Sequence, residues 1–203
     1  MKYQEIEVKF FLTDRSKLRD RLVELGAVLA QPRTHEINLR FDTPSGDLSR
    51  GFQVLRLRKD TDARLTYKGP GELLEGTRVR QEIEFVVSDF QAAQAFLEAL
   101  GYQVSLVYEK YRAVYDLDGV HVTLDEMPYG EFCELEGETP EQISVLSRRL
   151  GLTWEMRILD SYTVLFERLK LSQNLTMRDL TFENFNELVI TPEMLSVQAA
   201  DSQ

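Results

Sequence analysis

Cysteine, histidine and long apolar runs are scarce in this chain of 203 residues. The single cysteine, Cys133, cannot form an internal disulfide, so nothing in the cysteine content indicates an oxidising compartment. The two histidines, His35 and His121, are far apart and lie beside no cysteine pair, which argues against a zinc motif. No apolar run approaches the roughly 20 residues that span a bilayer. We therefore expect a cytoplasmic protein with no signal peptide and no membrane partner.

Positively charged residues are also fewer than negatively charged ones. The chain has 24 Lys and Arg residues against 34 Asp and Glu residues, a formal net charge of −10. This balance argues against a nucleic-acid partner, because proteins that bind nucleic acids present a basic face. Hydrophobic residues make up 43% of the chain and charged residues 29%, which excludes a disordered or collagen-like protein.

No linker rich in Gly, Ser or Pro divides residues 1–170. We therefore predict one domain over residues 1–171 and a polar appendage over residues 172–203, to which we assign no chemistry. Within this appendage we expect a short helix over residues 180–189 and a frayed end from residue 197 onward.

One pattern occurs three times along the chain. Each copy has an acidic strand, a polar residue suited to cap a helix, an amphipathic stretch and a glycine. The acidic strands are Glu5-Ile6-Glu7-Val8-Lys9, Glu82-Ile83-Glu84-Phe85 and Glu134-Leu135-Glu136. The predicted caps are Thr13, Ser88 and Thr139, and the predicted helix stops are Gly26, Gly101 and Gly151. Apolar residues recur at helical spacing between each cap and its glycine, which predicts three strand–helix units.

Charged strands that alternate polar and apolar side chains lie between these units. Predicted turns at residues 43–46, 69–71 and 118–119 separate them. Because successive side chains of a strand point to opposite faces, one face of the sheet collects the charged side chains and the other the apolar ones. The charged face comprises Glu5, Glu7, Lys9, Arg56, Arg58, Arg64, Lys68, Arg80, Glu82, Glu84, Lys110, Arg112, Asp125, Glu134 and Glu136.

This charged face has two alternative placements. The charged side of an antiparallel sheet ordinarily faces water. Here, however, cations cluster at i, i+2 spacing and carboxylates do the same, so that like charges become neighbours and repel each other. Three amphipathic helices also need an apolar surface to cover. We therefore predict an α+β fold, a closed antiparallel β-barrel with a charged interior and amphipathic helices packed outside.

Such an interior holds water, metal and a charged ligand, since buried charges need partners. Glu5, Glu7 and Lys9 lie on one face of a strand, each about 6.5–7 Å beyond the last. Carboxylates so placed suit hard divalent cations such as Mg²⁺ or Mn²⁺, one or two ions in all. The cations Arg56, Arg58, Lys68, Lys110 and Arg112 share the same face. Arg matches phosphate geometry and Lys supplies a point charge, so the two walls together predict a site for a metal-bound polyphosphate.

Eight phrases occur in order over residues 1–170: EIEVK (5–9), FDTP (41–44), LRLR (55–58), TYKGP (66–70), RQEIEF (80–85), EKYR (109–112), LDEMPYGEFCELEGE (124–138) and SY (161–162). This ordered set resembles the CYTH family, the triphosphate tunnel metalloenzymes that include class IV adenylate cyclases and thiamine triphosphatases. The resemblance implies a closed antiparallel β-tunnel with outer helices, which agrees with the barrel expected from the charge pattern.

The resemblance also implies roles for individual residues. The implied metal-site carboxylates are Glu5, Glu7, Asp125, Glu134 and Glu136, with Glu82 and Glu84 as a second acidic pair. The implied triphosphate contacts are Lys9, Arg56, Arg58, Lys68, Arg80, Lys110 and Arg112. Among these residues, Glu5, Glu7 and Lys9 are the predicted catalytic groups.

Three functions fit these observations. The first is metal-dependent hydrolysis of an inorganic or organic triphosphate, such as tripolyphosphate, thiamine triphosphate or a nucleoside triphosphate. The second is the conversion of ATP to cyclic AMP and pyrophosphate by a class IV-like adenylate cyclase. The third is a non-catalytic module that binds polyphosphate or nucleotides. The expected partner is a small triphosphate substrate, and the expected assembly is a monomer or a homodimer.

Overall fold

Eight antiparallel strands form the frame of the fold in a computed structural model that describes residues 4–201. The strands are β1 (Gln4–Leu12), β2 (Val28–Asp42), β3 (Val54–Lys59), β4 (Ala63–Leu74), β5 (Thr77–Val87), β6 (Gln103–Leu117), β7 (Val120–Met127) and β8 (Gly130–Glu136). They close into a ring in the order β1-β5-β4-β3-β2-β6-β7-β8, with β8 paired to β1. The predicted antiparallel sheet that closes on itself is confirmed.

Five helices accompany the strands. They are α1 (Arg15–Glu24), α2 (Asp47–Arg50), α3 (Phe90–Ala99), α4 (Pro140–Arg149) and α5 (Tyr162–Gln173). Short 3₁₀ turns lie at Trp154–Met156, Glu183–Phe185 and Pro192–Leu195. Helices α1, α3 and α4 directly follow the acidic strands β1, β5 and β8, so the three predicted strand–helix units are confirmed. No helix within residues 4–201 is both long and apolar enough to cross a membrane.

Two of the three predicted helix caps were wrong by one residue. Asp14 and Asp89 cap α1 and α3, in place of Thr13 and Ser88, and each carboxylate accepts a backbone N–H three residues on at 3.0 Å. A carboxylate also carries the negative charge that a helix N-terminus favours. Thr139 caps α4 as predicted. The predicted stops are confirmed by their left-handed backbone, with φ of 80° at Gly26, 93° at Gly101 and 78° at Gly151.

The predicted turn at residues 69–71 was also wrong, because this segment lies inside β4. The pairing register of β4 with β5 shifts between Lys68 and Gly71, as at a β-bulge. A Cβ atom on Gly71 would lie 2.8 Å from Nε of Arg78, so glycine leaves room for that guanidinium. The chain instead reverses at Glu75 and Gly76, where φ is 49° and 80°.

The apolar faces of the strands point outward beneath the helices. Ile6, Val8 and Leu135 of the ring pack with Leu22 of α1 and Ile143 of α4 in one buried cluster. A second cluster joins β2 and β3 to α3. Cys133 is fully buried in the first cluster, as expected for a packing residue. The inward placement of charge and outward placement of apolar side chains therefore follow the predicted alternation.

A third cluster of apolar side chains closes one end of the ring. Phe11 and Phe132 lie two residues from Lys9 and Glu134 along their strands, and so share the inner face. Their rings pack edge to face at a centroid distance of 5.2 Å, and Tyr162 of α5 packs on Phe132 at the same distance. Helix α5 therefore covers this end of the ring.

The segment after α5 packs against the same end. Leu180 exchanges backbone hydrogen bonds with β6, its N–H donating to Val107 at 2.9 Å, and it is fully buried. The N–H of Ala200 donates to the carbonyl of Phe11 at 3.0 Å. The predicted helix over residues 180–189 was wrong, since only the 3₁₀ turn Glu183–Phe185 forms. The predicted frayed end was wrong up to residue 201, and residues 202–203 lie outside the described residues. Irregularly spaced apolar residues here pack on the end of the ring rather than along one helix face.

A charged cavity inside the strand ring

The ring encloses a cavity of about 1160 Å³. Every residue of the predicted charged face lines it except Asp125. The residues that the resemblance named are therefore brought together around one space, although they come from six different strands. This geometry follows from period-two alternation in a closed sheet, in which inner-face side chains converge on the axis.

Acidic side chains gather on three adjacent strands of the ring. Strand β1 lies between β5 and β8, so the three acidic pairs of the repeated pattern become neighbours. Glu7 lies directly opposite Glu136 in the β1–β8 register, and Lys9 lies opposite Glu134. Nζ of Lys9 is 2.5 Å from Oε1 of Glu134. The acidic wall thus contains buried cations of its own, Lys9 on β1 and Arg80 on β5.

The basic wall comes from β3, β4 and β6, and its cations are already paired with carboxylates. Lys68 Nζ lies 2.7 Å from a carboxylate oxygen of Glu5 and 3.0 Å from one of Glu82. Arg56 and Arg58 reach the Glu84 carboxylate at 3.3 and 3.1 Å. An anion that enters the cavity therefore competes with resident carboxylates for these cations.

The carboxylates of the acidic wall differ in their affinity for protons. Burial alone would raise the pKa of Glu5, but the charges of Lys68 and Arg80 outweigh it and hold this pKa far below the usual range. Burial, with a further contribution from the charge of Glu5, raises the pKa of Glu82 to about 7 despite Lys68. The pKa of Glu136 is also raised to about 7, by burial and by the charge of Glu5. The wall therefore has more negative charge than its cations neutralise.

Glu136 and Glu82 differ in how far their side chains are exposed. The Glu136 side chain is exposed to solvent at the cavity wall, while protein surrounds it on most sides. Water in the cavity screens part of the repulsion from Glu5 and Glu7. Glu82, whose side chain is 20% exposed, is the better-enclosed of the two carboxylates with raised pKa.

Asp125 occupies a different place from the other predicted metal ligands. It is fully buried and does not line the cavity. Its carboxylate accepts hydrogen bonds from Arg112 Nε at 2.6 Å, Lys110 Nζ at 3.2 Å and the Tyr162 hydroxyl at 2.8 Å. These three partners occupy both oxygens from within the protein. From this buried position, Asp125 therefore orients two cations of the basic wall, Lys110 and Arg112.

The ring of Tyr162 supports both walls. Its centroid lies 4.3 Å from Nζ of Lys9 and 5.4 Å from Nζ of Lys110. An ammonium group at this distance is attracted to the negative face of an aromatic ring. Tyr129 is not a wall residue, since it is buried and its hydroxyl donates to the carbonyl of Tyr162 at 2.8 Å.

Several residues at the cavity are absent from the predicted charged face, and four of them are charged or amide side chains on β2 and β5. Glu36, Arg40 and Arg78 line the cavity, and Asn38 lies between the first two on the inner face of β2. The alternation Glu36-Ile37-Asn38-Leu39-Arg40 is the same period-two pattern that located the other strands, so it was available in the sequence. Arg40 and Arg78 have no ion-pair partner within residues 4–201, and burial lowers the pKa of both.

The donor set of the acidic wall suits a divalent cation by its chemistry. No three acidic, histidine or cysteine side chains within residues 4–201 converge as a formed metal site. Glu7 and Glu136 nevertheless face each other across paired strands, and the neighbouring charge on Glu5 makes a proton on Glu136 favourable. A cation relieves the same repulsion, and carboxylate oxygens are the ligands that Mg²⁺ and Mn²⁺ prefer.

Known proteins share sequence features with this chain. A CYTH domain model matches residues 3–149. The chain is 29% identical over 177 residues to the adenylate cyclase CyaB of Aeromonas hydrophila, covering 81% of this chain and 89% of that one.

Solved structures share the fold. A candidate adenylate cyclase from Vibrio parahaemolyticus superposes with a TM-score of 0.73 at 22% identity, covering 80% of this chain and 97% of its own. HpAC1 from Hippeastrum, named an adenylyl cyclase and described as having a dominant triphosphatase activity, superposes with a TM-score of 0.63 at 23% identity. The superposition covers 80% of this chain and 95% of HpAC1. Because the CYTH domain model spans most of the sequence, and the fold agrees with it, this protein belongs to the CYTH family.

Proposed function

We propose that this protein is a metal-dependent enzyme that hydrolyses triphosphates inside the ring. The observation that carries the proposal is the pair of opposed walls in one cavity, carboxylates from β5, β1 and β8 facing cations from β3, β4 and β6. Phosphoryl transfer requires mainly positioning and the neutralisation of oxygen charge, with little covalent work from the protein. Both requirements are served by fixed cations on a closed sheet.

In this proposal the cations bind the substrate and the carboxylates bind the metal. The substrate's phosphoryl oxygens are bound by Lys9, Arg56, Arg58, Lys68, Arg80, Lys110 and Arg112. A metal ion is held by carboxylates from Glu5, Glu7 and Glu136, with Glu82, Glu84 and Glu134 nearby. When bound, Mg²⁺ or Mn²⁺ neutralises phosphoryl oxygens and favours ionisation of a water molecule. Asp125, which is buried and does not line the cavity, is proposed to orient Lys110 and Arg112 instead of binding metal.

Substrate binding is an exchange of partners. In the free protein Lys68 and Arg80 bind Glu5 at 2.7 Å each, and Lys9 binds Glu134. A triphosphate would attract these cations away from Glu5 and Glu134, and the released carboxylates would be free to hold a metal ion. Lys9 lies within the acidic wall, so its release from Glu134 would leave an ammonium group beside the carboxylates proposed to hold the metal.

A second candidate is adenylate cyclase, and the 29% identity to CyaB favours it. The same cavity serves both reactions, which differ in whether water or a ribose hydroxyl attacks the phosphate chain.

Product analysis separates the candidates. The purified protein is incubated with Mg²⁺ or Mn²⁺ and, separately, tripolyphosphate, thiamine triphosphate and ATP. Release of orthophosphate supports hydrolysis, and cyclic AMP with pyrophosphate supports cyclisation. Tight binding without any product would contradict an enzymatic function and support a binding module.

A further inference from the structure

Tyr108 is an uncharged residue within the basic wall, and its hydroxyl proton has no acceptor in the protein. It lies on the inner face of β6, two residues from Lys110, and lines the cavity. Nη1 of Arg56 donates to the Tyr108 hydroxyl oxygen over 3.3 Å. A guanidinium group cannot accept a hydrogen bond in return, and within residues 4–201 the hydroxyl donates to no other group. Its proton is therefore left for a ligand or for water.

The two ends of the Tyr108 side chain lie in different surroundings. Its aromatic ring belongs to the apolar cluster that α5 covers, together with Tyr162 and Leu180. Its hydroxyl reaches past β2 to Arg56 of β3, which also lines the cavity. The side chain is thus anchored among apolar groups, while its polar end lies at the cationic wall of the cavity.

The segment after α5 holds the backbone of Tyr108 in place. Strand β6 pairs with β7 only from Tyr111 onward, so residues 107–109 have no β7 partner. Leu180 pairs there instead. Its N–H donates to the carbonyl of Val107 and its carbonyl accepts from the N–H of Glu109, each at 2.9 Å. Because β2 pairs with the opposite edge, Tyr108 has a backbone paired on both sides, which preorganises its hydroxyl.

Positive charge surrounds the hydroxyl. Burial would raise the pKa of Tyr108, but the charges of Arg56 and Lys110 outweigh burial and lower it. The negative charge of Glu36 opposes them, yet neither Glu36 oxygen has a hydrogen-bond partner among the residues that the structure describes. The missing acceptor is therefore an oxygen that the cations also attract. A phosphoryl oxygen meets this condition, because Arg56 and Lys110 are proposed to bind the phosphate chain.

We propose that Tyr108 is a further substrate-binding residue, whose hydroxyl donates a hydrogen bond to a phosphoryl oxygen held by Arg56. The inference rests on the proposed function and adds an uncharged donor to its site. Hydrogen bonds to charged groups are stronger than those between neutral groups, so the loss of this donor is measurable as a change in affinity.

Equilibrium binding of tripolyphosphate tests this contact. For Tyr108→Phe, which keeps the aromatic ring and loses only the hydroxyl, we expect the Kd from calorimetric titration to rise roughly tenfold or more, with and without Mg²⁺. Tyr129→Phe is the matched control, since the buried Tyr129 does not line the cavity and its hydroxyl donates to the carbonyl of Tyr162. It should bind tripolyphosphate as the wild type does. A rise of less than threefold in Tyr108→Phe would overturn the contact and leave water as the acceptor.

A double-mutant cycle separates direct contact from an effect through Arg56. In an Arg56→Met background we expect Tyr108→Phe to raise the Kd at least threefold further, because the hydroxyl itself touches the phosphoryl group. No further rise would show that Tyr108 only orients Arg56, and would overturn the proposal.

The same titrations distinguish this inference from the proposed function. Wild-type protein that binds tripolyphosphate in a Tyr108-dependent way but releases no orthophosphate would overturn the proposed hydrolysis and support the contact. Wild-type protein that hydrolyses tripolyphosphate, with an unchanged Kd in Tyr108→Phe, would overturn the contact alone. Wild-type protein that does not bind tripolyphosphate would overturn both.

Discussion

Lys9 and Glu134 face each other across the β1–β8 pair, and their charged atoms are 2.5 Å apart at the centre of the acidic wall. Burial would lower the pKa of Lys9, but the charges of Glu134 and Glu7 reverse this and raise it. Lys9 therefore stays protonated in a buried position among carboxylates. The ammonium group has three N–H donors, of which Glu134 accepts one, and in the proposed function the others bind a phosphoryl group.

Replacing this ammonium group tests its role. We expect Lys9→Met to lower kcat at least 100-fold with Mg²⁺ and tripolyphosphate, since removing one preorganised group that stabilises the transition state costs roughly 10²–10³ in rate. Lys17→Met, at an exposed position of α1, is the control. A fall of less than threefold in Lys9→Met would contradict a catalytic role for Lys9.

Tyr162 is expected to act through the two lysines that its ring contacts. Tyr162→Phe keeps the ring beneath Lys9 and Lys110 but loses the hydrogen bond to Asp125, whereas Tyr162→Leu loses both. We expect Tyr162→Leu to lower kcat/KM by about 3–30-fold, the equivalent of one cation–π interaction. Tyr162→Phe should restore most of this activity. If the two variants are equally impaired, the ring has no positioning role and the hydroxyl is what matters.

Glu82 and Glu84, two neighbours on β5, are expected to affect the pH dependence of stability in opposite directions. The pKa of Glu82 is raised from 4.5 to about 7, so the metal-free folded state keeps a proton that the unfolded state has lost. Stability from this group is full below pH 4.5 and is lost as pH rises to 7. Glu82→Gln should therefore stabilise the metal-free protein at pH 8, by on the order of 1–3 kcal/mol.

Glu84 is the matched control for that substitution. Burial would raise its pKa, but Arg58 and Arg56 hold it below the usual value, so its stabilising contribution is present above pH 4.5 and is lost in more acidic solution. Glu84→Gln should destabilise the protein at pH 8. Urea unfolding without metal at pH 4, 6 and 8 measures both effects. Two variants that shift stability in the same direction at pH 8 would contradict the charge distribution of the wall.

Metal and triphosphate are expected to bind cooperatively. In the wild type we expect saturating Mg²⁺ to lower the Kd of tripolyphosphate at least tenfold, because metal takes carboxylates that otherwise hold the cations. Mg²⁺ also binds tripolyphosphate in solution, so the double variant Glu7→Gln, Glu136→Gln provides the baseline. Calorimetric titration with and without Mg²⁺ measures both proteins. Equal Mg²⁺ effects in the two proteins would show that the acidic wall does not hold the metal.

Much of the candidate site follows from alternation alone. Wherever a charged strand could be recognised, its inner-face residues were correctly grouped, from Glu5 and Lys9 to Arg56 and Glu134. Glu36 and Arg40 obey the same rule. They were missed because each is a single charged residue between apolar ones, Ile37, Leu39 and Phe41, so the stretch has no adjacent pair of like charges. The helix stops were predictable because Gly26 and its two equivalents adopt a backbone conformation that other residues avoid.

Other features depended on contacts that no local pattern records. Asp125 has the inner-face periodicity of a cavity residue, yet Lys110 and Arg112 of β6 and Tyr162 of α5 enclose it. The placement of the segment after α5 depended on the apolar end of the ring, a surface that exists only once β1, β6 and β8 have met.

Alternation of charged and apolar side chains along each strand determined that the charged ones share one face, because period-two geometry is local and holds for any arrangement of the strands. The order of the strands around the ring, with β1 between β5 and β8, was decided only in three dimensions. That order concentrates three acidic pairs on one wall, where burial, together with repulsion from Glu5, raises the pKa of Glu82 and Glu136. Electrostatic energy depends on separation in space, which the folded ring alone sets.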